Sequence, residues 1–127
     1  MSAPSALPAQ VAAGPAELDP EQLAMLRGLR QGTLLPLLLR TYRDQMAQQL
    51  GAMNAAVAAG DVAALGGVAH SLKSASYSIG ARRIGDLCAA IEAAARRGDA
   101  SDAPRGCAQL AEAWERLQPE IEGHLAR

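Results

Sequence analysis

Apolar residues recur every three or four positions along most of this chain, and no stretch alternates strictly, a pattern that predicts helices and no strands. Leu35, Leu38, Tyr42, Met46, Leu50 (or Gln49), Met53 and Val57 form one seam. Thr33 is placed to cap that helix, Pro36 is tolerated in its first turn, and Gly60 suits its end. Asp61 then opens a second long helix whose seam is Leu65, Val68, Ala69, Leu72, Ala75, Ser76 and Ile79, stopping near Gly80. A third helix is expected from about 81 to 97, with Ile84, Leu87, Cys88, Ile91 and Ala95 inward. Arg96 and Arg97 close it on the side of the dipole that favours cations, and Gly98 follows. Ser101 or Asp102 opens the last helix, whose seam is Cys107, Leu110, Trp114, Leu117, Ile121 and Leu125, and Pro119 predicts a kink or a break in it. Ahead of all four, Asp19-Pro20-Glu21-Gln22 reads as a helix start, with Asp at the cap and Pro at the first position. That short helix should run to about Arg30 and end at Gly32.

Four long amphipathic helices joined by short Gly/Asp connections make an all-α, up-down-up-down antiparallel four-helix bundle, with the short extra N-terminal helix over one end. Residues 1–17 are rich in Ala and Pro without periodicity and read as a flexible tail or linker. Residues 18–127 are then one domain. Phe is absent and aromatics are only 2% of the chain, so the apolar content is largely alanine and aliphatic. Such seams permit close helix approach.

The formal charge of −1 provides no field to attract nucleic acid or an anionic membrane. No apolar run is long enough to span a bilayer, and the start lacks the basic-then-apolar pattern of a secretory signal. Cys88 and Cys107 fall on core faces without metal-type spacing, and reduced buried thiols fit a cytoplasmic protein. No phosphate-binding loop is present for ATP, and no cluster of ligands suggests a bound metal.

One residue stands apart from this economy of packing. On a helical wheel His70 falls opposite the apolar stripe of its helix, and so faces outward. Gly66 and Gly67 lie one turn before it, Lys73 and Ser74 one turn after. Lys73 is the single lysine among the twelve basic residues. Two mid-helix glycines each cost about 0.5–1 kcal/mol relative to alanine, which suggests that bulk beside His70 would obstruct a close approach. An imidazole can act as a nucleophile near neutral pH. Ser71, Ser74 and Ser76 share its helix and cannot align with it as a hydrolytic pair. His124, among Glu120, Glu122 and Arg127, reads as a solvated surface residue.

The run Ala69-His70-Ser71-Leu72-Lys73-Ser74-Ala75-Ser76, then Gly80-Ala81, Ile84, Leu87-Cys88 and Ile91-Glu92, resembles the histidine phosphotransfer domains of bacterial phosphorelays. Ala59-Gly60-Asp61 and Leu18-Asp19-Pro20 extend the resemblance over about residues 18 to 126. It implies a four-helix bundle in which His70 accepts a phosphoryl group from an aspartyl phosphate on a receiver domain and passes it to another receiver. Lys73 matches the lysine whose charge sits beside the phosphoryl oxygens. Ser74, Ser76 and Gly80 match small positions of the motif, and Glu92 matches a Glu or Gln position that can lie near the histidine. Tyr77 departs from the small or amide residue expected there and bears on the docking surface. The resemblance further implies a phosphocarrier without kinase activity of its own and with no cofactor. Mg²⁺ is expected on the partner receiver, a hybrid sensor kinase is a second potential partner, and a monomer is the simplest assembly.

Overall fold

The computed structural model describes residues 17–126. The expected tail therefore lies, but for Glu17, outside the described residues, as does Arg127. Among the described residues there are five helices: α1 Pro20–Arg27, α2 Leu34–Ala59, α3 Val62–Ser78, α4 Arg82–Arg96 and α5 Ala103–Leu125, with a 3₁₀ segment Leu29–Gly32 between the first two. Helices α2 to α5 each pack on the next, and α5 closes back on α2. Connections this short make sequential neighbours antiparallel. The expected four-helix bundle is therefore the fold.

The α1 helix lies over the end of the bundle where α3 turns into α4. The backbone N–H of Asp19 donates to the Gly80 carbonyl (3.0 Å), and the Gln22 amide donates to the carbonyls of Tyr77 and Ser78 (2.8 Å each). Arg82 at the start of α4 donates to the Asp19 carboxylate at 2.7 Å. Gly80 adopts φ +83°, and a side chain there would press on Asp19. It is buried in this turn and holds the fold rather than facing a partner.

Several helix ends follow from capping. Asp19 accepts from the N–H of Glu21, Asp61 from that of Ala64, and Gly60 takes φ +67° just past α2. Others depart from the sequence reading. The first helix stops at Arg27 and not near Arg30, because Arg30 and Gln31 adopt φ of 51° and 56° and reverse the chain. Thr33 sits at the α2 cap, but its hydroxyl donates backward to the Arg30 carbonyl and caps nothing. Asp102 likewise makes no side-chain cap for α5; Asp99 instead accepts from the Ser101 backbone and hydroxyl. Pro119 does not break α5, which runs through it to Leu125. It lies on the exposed side, where water can hydrate the carbonyl one turn back.

The core contains the expected seams with small shifts. Leu39 and Ala56 are fully enclosed where Leu38 and Val57 were expected, and those two are half-buried against the core. Tyr42 and Trp114 meet edge-to-face at 6.0 Å and 70°. The Tyr42 hydroxyl is bonded to that of Ser76 at 2.7 Å inside the bundle. Ser76 thus satisfies a buried phenol and does not reach the surface near His70. Cys88 and Cys107 are free, buried thiols, as expected, and burial pushes Cys88 up to about 12. No helix among the described residues is long and apolar enough to cross a membrane.

Candidate functional site

The site is built where α3 and α4 make the bundle's most extensive contact. Leu65, Ala69, Leu72 and Ser76 are buried on the inner face of α3. The opposite face is therefore turned to solvent, and the His70 side chain is 59% exposed. Glu92 is one of two buried polar residues among the described ones, and it sits on α4 between the core residues Ile91 and Ala95.

Three cationic or potentially cationic groups converge on that one carboxylate. Glu92 Oε2 lies 2.7 Å from His70 Nδ1 and 2.8 Å from an Arg96 guanidinium nitrogen, and its Oε1 lies 2.6 Å from Lys73 Nζ. The hydrogen bond from Lys73 holds the Glu92 carboxyl below its usual range; desolvation opposes this, and His70 and Arg96 reinforce it. An ionised carboxylate only accepts hydrogen bonds. His70 Nδ1 must therefore be the donor, and in the neutral ring that leaves the lone pair on Nε2, the other nitrogen of the exposed ring. A carboxylate behind an imidazole in this way sets both tautomer and ring orientation.

Gly66, Gly67, Val62, Ala63 and Ala95 line an open depression beside the ring, with Glu92 and Arg96. The two glycines keep it open for different reasons. A Cβ on Gly66 would sit 3.2 Å from that of Ala95, so this glycine lets α4 come close. A Cβ on Gly67 would meet nothing within 4 Å, so this glycine leaves room outside the bundle. Ser74 is exposed one turn beyond His70. Tyr77 is partly exposed two turns beyond it, lies against Gly85 and donates to Asp86 at 2.6 Å, and that carboxylate raises its phenol.

Of the residues singled out from the sequence, His70, Lys73, Glu92, Gly66 and Gly67 come together, and Ser74 and Tyr77 continue the same outer face. Ser76 and Gly80 do not belong to it. Arg96 was missed as a site residue. Read only as a helix-end cation, it is also four residues after Glu92, the spacing at which opposite charges meet on one helix. His124 lies apart, against Arg27. Among the described residues no three His, Cys, Asp or Glu side chains gather as metal ligands.

The same charges make stability depend on acid. Glu92, through Lys73, and Asp19, through Arg82, have folded-state pKa values below their ordinary 4.5 and 3.8. Each then contributes stability that is present above its ordinary value and lost as pH falls through the folded one. Thermal melts should show a midpoint that falls as pH drops below about 4.5. In Glu92→Gln that fall should be shallower; a fall as steep as in wild type would contradict the assignment.

A family model for the Hpt domain matches residues 37–120. Among solved structures, the crystal structure of histidine-containing phosphotransfer protein B from Pseudomonas aeruginosa PAO1 is similar to this chain at 30% sequence identity and a TM-score of 0.85. The match covers 90% of this chain and 98% of that one. No curated protein matches.

Proposed function

Since the chain belongs to the Hpt domain family and its function is histidine phosphotransfer in phosphorelay signalling, we propose that His70 is the residue that carries the phosphoryl group. The observation that carries this reading is the pairing of a 59% exposed imidazole with a buried carboxylate at its Nδ1. Nε2 attacks the phosphorus of an aspartyl phosphate on a receiver domain. The N–P bond forms as the P–O bond to the aspartate breaks, and the aspartate leaves as a carboxylate. The ring then bears positive charge, which the Nδ1–H bond to Glu92 stabilises. Transfer to a second receiver is the reverse.

Phosphoryl transfer asks chiefly for positioning and charge neutralisation. Lys73 supplies the charge in this proposal. Its side chain is only 27% exposed, and its ammonium is anchored on Glu92 Oε1, one helical turn from His70. The open space at Gly67 admits the incoming aspartate. The Mg²⁺ that transfer requires resides on the receiver, and this chain acts as a phosphocarrier with no kinase activity of its own. It works as a monomer in the cytoplasm, with response-regulator receivers as partners and a hybrid sensor kinase as a further source.

The test is a transfer assay. The chain is mixed with receiver domains from the same organism, phosphorylated at aspartate in the presence of Mg²⁺. Label should move onto the chain and be lost in acid but kept in base, as a phosphoramidate is. Label that never leaves any receiver would refute the carrier role.

A further inference from the structure

Three features outside the phosphoryl-bearing group are prominent. A groove between α4 and α5 near Ile91 and Gly106 is lined by apolar and charged groups, but nothing shows what would fill it. A depression at Arg27, Leu35 and His124 is in the same position. The third is Tyr77, and here geometry identifies both role and occupant.

Tyr77 follows His70 by seven residues, which turns it back to the same side of α3 within about 20° and places it about 10 Å along the axis. Ser74 lies between them on that face and is exposed. Tyr77 is 39% exposed, one of the few large apolar side chains at the surface of the described residues. It is not loose. One side of the ring lies on Gly85 of α4, where any Cβ would overlap the ring carbons Cδ1, Cε1 and Cζ. The hydroxyl is tied to Asp86 at 2.6 Å. A glycine inside a helix costs about 0.5–1 kcal/mol relative to alanine, and at this position it is what gives the ring its seat.

A protein that delivers a phosphoryl group to His70 must cover the surface around it. A standard interface buries about 800 Å² on each partner, a patch with a radius of about 16 Å when centred on His70. Tyr77, about 10 Å away on the same face, lies inside that patch. Rigid tyrosines in such a position are the residues that concentrate binding energy, since little side-chain freedom remains to be lost.

We propose that Tyr77, seated on Gly85 and held by Asp86, is the pre-positioned anchor by which this chain selects its receiver domains, packing against an apolar patch that flanks the receiver's phosphoaspartate. The proposal rests on the carrier reading given above. It makes Tyr77 a docking residue that never touches the phosphoryl group. The exposed Asp86 carboxylate beside it favours a receiver that presents a donor side chain at the edge of its patch.

The two roles separate in kinetics. Single-turnover transfer is followed from the receiver that phosphorylates the wild-type chain fastest, over a range of receiver concentrations. Tyr77→Ala should raise the half-saturating receiver concentration at least about tenfold, with the limiting rate unchanged within about twofold. Gly85→Ala, which keeps the tyrosine but unseats its ring, should shift the same parameter in the same direction. Phosphorylation of His70 by phosphoramidate, a donor too small to use the docking face, should match wild type in both variants, and their melts confirm that they are folded. Half-saturation within twofold of wild type in folded Tyr77→Ala would overturn the proposal. So would a matching loss with phosphoramidate, which would place Tyr77 in the chemistry. If wild type takes label from phosphoramidate but from no receiver, the carrier reading falls and this proposal with it.

Discussion

His70→Gln is expected to reduce phosphoryl uptake from a phosphorylated receiver to the level of a reaction without this chain. The expectation follows from the position of the residue. Its side chain is well exposed and packs in no core. Substitution there leaves the apolar core of the bundle untouched. The Gln amide can still donate to Glu92, so the buried carboxylate keeps a partner. What is lost is the lone pair of Nε2, and no other group replaces it. Lys73 is engaged with Glu92, and His124 lies against Arg27 elsewhere in the bundle. Receiver binding should persist, because the docking face is intact. Label on His70→Gln above background, with the acid lability of a phosphoramidate, would place the carrier elsewhere.

The second large effect is expected at Glu92. Glu92→Gln keeps a hydrogen-bond acceptor within reach of Nδ1 but removes the negative charge. Attack by Nε2 places positive charge on the ring, and a carboxylate at 2.7 Å stabilises it as a neutral amide cannot. Charge-assisted hydrogen bonds of this kind set a loss of about 10- to 100-fold in the transfer rate. An opposing effect exists, since Lys73 and Arg96 would be released from the same carboxylate and left free to meet the incoming phosphoryl oxygens. Both cations stand outside the ring and are held by side chains of several rotatable bonds, so their release costs positioning. The loss should therefore prevail. It should appear in the limiting rate and not in the receiver concentration needed, the reverse of the pattern expected for Tyr77. A Glu92→Gln chain that transfers as fast as wild type would refute the role given to the carboxylate.

Much of the architecture was legible because apolar spacing reports directly on which helix faces are buried. The α3 stripe is the clearest case. Leu65, Ala69, Leu72 and Ser76 are buried as the wheel required, and the same wheel turned His70 outward. Gly60 and Asp61 marked the α2–α3 junction through chemistry that is local to the turn. Where the reading failed, the deciding contacts were ones that apolar spacing does not report. Thr33 has the composition of a cap, but its hydroxyl was claimed by the carbonyl of a left-handed Arg30. Ser76 looked like one more small residue of the motif, yet its partner is Tyr42, on another helix. Gly80 closes the α3 end as the sequence indicated, and what requires glycine there is its φ of +83° and the nearness of Asp19.

At the site the division is similar. His70 and Lys73 are one turn apart on one helix, so their neighbourhood follows from helix geometry alone. Glu92 reaches them only through the packing of α4 on α3, which the close approach at Gly66 and Ala95 allows. Its place inside the apolar seam, beside Ile91, was the available sign, since a carboxylate buried in a core face needs a partner. Arg96 carried the fainter signal of its spacing from Glu92. The pairing of Tyr77 with Gly85 and Asp86 could not be read from periodicity, because it depends on how two helices set their rotation against each other.

The central claim, that Glu92 fixes the proton on Nδ1 so that Nε2 of His70 takes the phosphoryl group, is tested most directly by nitrogen NMR. The chain is labelled with ¹⁵N in its histidines, phosphorylated by a receiver, and held at mildly alkaline pH where the product survives. The account predicts that phosphorus is bonded to Nε2 of His70, with Nδ1 still protonated and hydrogen-bonded. Phosphorus bonded to Nδ1 of His70, or to either nitrogen of His124, would contradict it.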